Sequence, residues 1–130
     1  MRIAGSADGE TIGTPVKFES IPNYAEGLEA LAQHARDISA GAPIEAIGIG
    51  FKAIISADKR MPLNAPQGFL EDWKNKPLAA DLEARLGGRC IIENDSAIVG
   101  LGEAVFGAGK GARIVDYITV PTGVRGARLV

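Results

Sequence analysis

The chain has 130 residues, 46% apolar and 23% charged, with a formal net charge of −2, which describes one soluble globular domain able to bury about two-thirds of its unfolded surface. That balance leaves no electrostatic footprint for nucleic acid or an anionic membrane, and neither a bilayer span of about 20 apolar residues nor a signal-peptide core is present. The single Cys90 excludes an internal disulfide and a cysteine-cluster zinc site, so a cytoplasmic protein with no metal site of its own is expected.

In chain order, Asp8-Gly9 marks a turn between short strands at residues 2–5 and 11–18. Residues 22–39 predict an amphipathic helix, because Tyr24, Leu28, Leu31, Ala35 and Ile38 recur at helical spacing, and Gly41 ends it. His34 lies off that stripe with nothing nearby to orient it, and reads as a solvated side chain. Residues 44–50 form an apolar strand that 51–55 extends. Residues 61–73, with their prolines and polar side chains, read as a surface loop whose Glu71-Asp72 pair is solvated charge. Pro77 opens the next helix at its first turn, Leu78, Leu82 and Leu86 form its buried stripe, and Gly87-Gly88 stops it. Residues 89–92 read as a short buried strand, which makes Cys90 a packed, unreactive thiol. Residues 97–106 follow as a helix, and Gly107-Ala108-Gly109-Lys110-Gly111 is a connector. It follows a helix instead of preceding one, and it lacks the spacing of a phosphate loop. A last strand covers 113–120, then a turn at 122–126 leads to a fragment, 127–130. The order β-β-α-β-α-β-α-β makes the class α/β.

Glu93-Asn94-Asp95 sits between the strand at residues 89–92 and the helix after it. Asp95 or Ser96 is the expected N-cap, since either side-chain oxygen can accept from the first free helical N–H groups. The helix is mostly Ala, Gly, Ile, Val and Leu, with Glu103 its only charge, and a helix apolar on nearly all sides is expected to be buried. A carboxylate, an amide and a hydroxyl thus meet at a strand end, where open α/β sheets bind ligands. The plainer reading, that Asn94, Asp95 and Ser96 only cap a helix, stands beside it.

Trp73-Lys74-Asn75-Lys76-Pro77-Leu78, Ile91-Ile92-Glu93-Asn94-Asp95 and Leu101-Gly102-Glu103-Ala104-Val105-Phe106-Gly107-Ala108-Gly109-Lys110-Gly111 closely resemble the ROK family of bacterial sugar kinases and sugar-responsive repressors. The resemblance is strongest over residues 44–122 and covers part of the N-terminal half of a family member. It implies an α/β, ribonuclease-H-like (actin/hexokinase-type) domain, incomplete or permuted, with residues 114–130 corresponding to the start of the family's second domain. It implies Asp95 as general base toward a sugar hydroxyl and Asn94 as a contact to the same sugar. Gln67 stands where the family often has a sugar-contacting Asn, and Glu93 is a further candidate. ATP and Mg serve the family, yet the first phosphate-binding strand and turn precede the match and the adenosine pocket follows it. Two retained motifs are altered. Lys52-Ala53-Ile54 replaces a Pro-Gly-Pro-like segment, and Pro121-Thr122-Gly123-Val124-Arg125-Gly126-Ala127 replaces a glycine-rich phosphate loop. Thr122 and Gly123 remain as phosphate-binding candidates, while Pro121 removes a donor and Arg125 restricts the backbone.

Two readings follow. One is the sugar-binding half of an ATP-dependent hexose or aminosugar kinase, inactive as the isolated chain. The other is a non-catalytic sugar-binding or assembly module. No helix-turn-helix segment is present for direct DNA binding. The resemblance also leaves a central strand position vacant, beside residues 44–50. Residues 114–120 are expected to fill it, within the chain or by exchange in a homodimer.

Overall fold

Asn23 starts the first helix. Its carboxamide oxygen accepts from Glu26 N–H at 3.0 Å, satisfying one of the donors that a helix start leaves open. In the computed structural model, which describes residues 1–120 and 125–130, this helix is α1 (Tyr24–Ser39). It follows two short antiparallel strands, β1 (Arg2–Ile3) and β2 (Val16–Lys17). These are shorter than expected, because the Asp8 carboxylate gathers Glu10 N–H, Thr11 N–H and the Thr11 hydroxyl into a turn that ends the pairing early. Helix α1 stops at Ala40, in the left-handed region at φ 49°, one residue before the expected Gly41.

Trp73 organises the core. It closes a 3-10 turn (Glu71–Trp73) and is 1% exposed, and its indole N–H donates to Ile21 O at 3.0 Å. Tyr24 meets it edge-on at 5.2 Å between ring centroids, and Phe51 lies at 6.0 Å. A Cβ on Gly27 would stand 2.4 Å from the indole Cζ2, so α1 carries glycine where the ring presses on it. Asp72 is not free charge: its carboxylate accepts from Tyr24 N–H at 2.8 Å, and so fastens the long loop to the start of α1. Helix α2 (Leu78–Leu86) buries Leu78, Ala79 and Leu82 against the same core and ends at Gly87, φ 85°.

Strands β3 (Ala46–Phe51) and β4 (Arg89–Asn94) run parallel, in register from Ala46 opposite Arg89 to Phe51 opposite Asn94. Their inner side buries Phe51, Cys90 and Ile92, with Ile47 and Ile49 packed beside them. The second edge of β4 is closed by side chains and a turn. Cys90 N–H donates to Glu83 Oε1 (2.8 Å), Arg60 donates to Cys90 O (3.2 Å) and pairs with Glu83 (2.6 Å), and Ile92 N–H donates to Lys59 O (2.9 Å).

Helix α3 (Asp95–Val105) follows β4 directly and packs on a hairpin of β5 (Val115–Thr119) and β6 (Arg125–Leu129). Three expectations change here. Residues 127–130 are no fragment, since 127–129 belong to β6, opposite β5. Val115–Thr119 pairs with β6 and not with β3, so the expectation that it fills a vacant slot within the chain is overturned. Helix α3 is not buried on all sides. It covers the hairpin with Gly100, while Val99, Leu101, Val105 and Phe106 stay exposed, because nothing among the described residues covers its other faces. No helix is long and apolar enough to cross a membrane, among the described residues.

Candidate functional site

Parallel strands present their carboxyl ends together, and that end of an open sheet is where ligands are bound. Here Phe51 and Asn94 end β3 and β4 side by side. The chain turns straight from Asn94 into α3, and the approach is close: a Cβ on Gly50 would lie 3.1 Å from Ile98 Cγ2 and 3.8 Å from Asp95 Cα.

Asn94, not Asp95 or Ser96, is the N-cap. The strand runs two residues further than expected, so Asn94 keeps a non-helical backbone (φ −58°, ψ 141°). Its Oδ1 accepts from Ser96 N–H (3.0 Å) and Ala97 N–H (3.4 Å). Its Nδ2 donates to Ala53 O at 3.0 Å, tying the segment after β3 to the start of α3. Asp95 is half-buried in the first helical turn, with Oδ1 accepting from Ser96 N–H at 2.9 Å. A carboxylate there is favoured by the unpaired N–H groups at the helix start.

Glu93, the neighbouring candidate, is engaged on both oxygens. Oε2 accepts from Lys59 Nζ at 2.7 Å and Oε1 from Asn94 N–H at 2.8 Å. Partial burial pushes its carboxyl upward, but the Lys59 ammonium and the Asn94 N–H outweigh it and hold the group below the ordinary carboxylate range. Gln67 is exposed in the loop between β3 and α2. Asn64 links that loop to the strand end: its Oδ1 accepts from Ile54 N–H at 2.7 Å, one residue after the carbonyl that Asn94 holds. The structure thus gathers Glu93, Asn94 and Asp95 at one point. The contribution of Asn64 and Lys59 was not legible in the sequence, where both read as ordinary loop residues.

Other features resolve as structure. His34 stacks on Phe18, ring centroids 4.3 Å apart. Glu103 accepts from Ala108 N–H at 3.1 Å and closes the connector after α3. Two hollows, of about 320 and 480 Å³, are lined by residues other than Asn94 and Asp95. Thr122 and Gly123 lie outside the described residues. Arg125, Gly126 and Ala127, the end of that altered motif, start β6 and pair with Thr119, Ile118 and Tyr117. No cluster of three His, Cys, Asp or Glu suited to a metal occurs among the described residues, and no ligand for Mg is assigned.

A parallel strand pair with an Asn-Asp at its carboxyl end, leading into a helix, marks part of an α/β domain, and likeness to solved structures makes it one of the ribonuclease-H-like, actin/hexokinase type. Its solved neighbours are sugar kinases of that fold. A glucokinase from Streptomyces griseus, in complex with glucose and AMPPNP, is similar with TM-score 0.79 and 30% identity, over 99% of this chain and 41% of that one. A ROK hexokinase from Thermus thermophilus is similar with TM-score 0.80 and 29% identity, over 99% and 43%. The chain belongs to the ROK family, whose pattern matches residues 3–129. Among curated relatives, a glucokinase of Streptomyces coelicolor is 33% identical over 92% of this chain and 35% of its own length, and one of Thermotoga maritima 30% over 93% and 38%. The chain therefore spans little more than a third of the curated relatives it matches.

Proposed function

We propose that this chain is the sugar-binding half of an ATP-dependent kinase acting on a hexose or aminosugar. The placement of Asn94-Asp95 carries the reading: they stand at the carboxyl end of a parallel strand pair, in a fold shared with a glucokinase bound to glucose and an ATP analogue. Asp95 acts as general base, taking the proton of the sugar hydroxyl as that oxygen attacks the terminal phosphoryl group. Asn94 has one N–H of Nδ2 left after its bond to Ala53, and offers it to the sugar. Gln67 reaches from the exposed loop. Phosphoryl transfer needs charge-neutralising groups on both sides of a cleft, and this chain builds one wall. The isolated chain is expected to show no turnover. Titration calorimetry with a hexose panel, with and without Mg-ATP, and a coupled ADP-release assay test this. Heat with a sugar and no ADP release supports the reading, whereas turnover that disappears in Asp95→Asn refutes the one-walled site.

A second reading is a non-catalytic sugar-binding or assembly module. It is favoured by the exposed apolar side chains of α3. Under either reading we propose a homodimer, with strand exchange between chains as one form of it. Absence of heat with every sugar of the panel leaves only the assembly module of the second reading.

A further inference from the structure

We propose that Lys59 is a positioning residue for the Asn94-Asp95 pair, and that Glu93 acts through Lys59 and the backbone instead of touching the sugar. The proposal rests on the kinase-half reading above. An ion pair between side chains that are 46% and 27% exposed is by itself worth little. Lys59, however, grips two consecutive positions of β4 at once. Its carbonyl accepts from Ile92 N–H at 2.9 Å, and its ammonium donates to Glu93 Oε2 at 2.7 Å. The other Glu93 oxygen takes Asn94 N–H, and the Asn94 carboxamide then takes the first N–H groups of α3. One continuous run of hydrogen bonds leads from Lys59 to the helical turn that holds Asp95.

The turn is built to present that residue. Ser56 Oγ accepts from Arg60 N–H (3.1 Å) and Met61 N–H (3.0 Å), and Ser56 O accepts from Lys59 N–H (2.9 Å). Lys59 itself sits at φ 62°, a left-handed conformation in which glycine is the undemanding choice. A lysine held there aims both its carbonyl and its ammonium at the strand end, and a departure from the common backbone regions is a pointer to function.

The experiment compares amide spectra and hydrogen exchange of the full chain with Lys59→Met, Lys59→Gly and Lys59→Arg. Lys59→Gly favours the turn's backbone, so it deletes the ammonium without disturbing the Ile92 contact. Lys59→Met and Lys59→Gly are expected to move the Asn94, Ser96 and Ala97 amide signals and the Asp95 carboxylate signal. Exchange at Ser96 and Ala97 should rise about tenfold while α1 is unchanged, and Lys59→Arg should restore the native pattern. Changes confined to Glu93 and the turn, or exchange that rises equally in α1, would overturn the proposal. These readouts need no sugar. Failure to bind any hexose therefore defeats the kinase-half reading separately, while glucose affinity lost in Lys59→Met and regained in Lys59→Arg supports both.

Discussion

Asn94 makes three hydrogen bonds with one carboxamide, two accepted from the first turn of α3 and one donated to Ala53 O. Asn94→Ala removes the cap and leaves Ala53 O without that donor, so a loss of about 1–2 kcal/mol is expected in urea denaturation. Asp95→Asn removes a charge favoured at a helix start, and that effect alone is expected to cost about 0.3–1 kcal/mol. Glu83 gives a pH test. The Arg60 guanidinium, and next the Cys90 N–H, lower its carboxyl from an ordinary 4.5 to about 2. A carboxyl depressed in the folded state stabilises fully above its unfolded value, and that stabilisation is lost as pH falls toward the folded value. Fluorescence of the single Trp73 should therefore report stability declining from pH 4.5 down to 2, and Glu83→Gln should flatten that decline while lowering stability at neutral pH. The Glu93-Asn94-Asp95 cluster was legible in the sequence, but the identity of the cap was not. Asn, Asp and Ser all cap well, and only the length of β4 decides among them.

At the scale of elements, Gly27 sets two tendencies against each other. Alanine in mid-helix gains about 1 kcal/mol over glycine, whereas forcing a methyl group into a packed core costs about 1–3 kcal/mol. With the indole Cζ2 only 2.4 Å from the added Cβ, the clash wins, and Gly27→Ala should lose about 1–2 kcal/mol by urea denaturation. Gly100→Ala puts a Cβ 2.9 Å from Tyr117 Cβ. It should loosen the β5–β6 hairpin first, read as faster amide exchange at Tyr117 and Leu129 with Leu28 unaffected. The strongly periodic helices and the apolar β3 and β4 were legible, because each buries its own stripe. Strand β6 was not, because Arg125-Gly126-Ala127-Arg128-Leu129 has little apolar alternation and is held by its partner β5 and by α3. The exposure of α3 was illegible for the opposite reason: an all-round apolar pattern says that a helix will be covered, without saying by what.

Across the whole molecule, Val99, Leu101, Val105 and Phe106 on and after α3, with Ile114, Ile118 and Val120 by the hairpin, leave much apolar surface in water. Patches of that kind mark contact sites, which supports the proposed homodimer. Light scattering should read twice the 13.5 kDa of one chain, and a mass of one chain at all concentrations would end that proposal. The buried Cys90 has a separate consequence. It is the only thiol, it lies in the strand that delivers Asp95, and burial, followed by the nearby Glu83 charge, pushes its pKa up to about 11. A disulfide reagent in neutral solution meets an inert and inaccessible sulfur until β4 opens. The colour released by such a reagent therefore counts openings of that one strand. The count should quicken in Glu83→Gln, which removes the charged partner of the Arg60 clamp over the Cys90 backbone, and each molecule reacts only once.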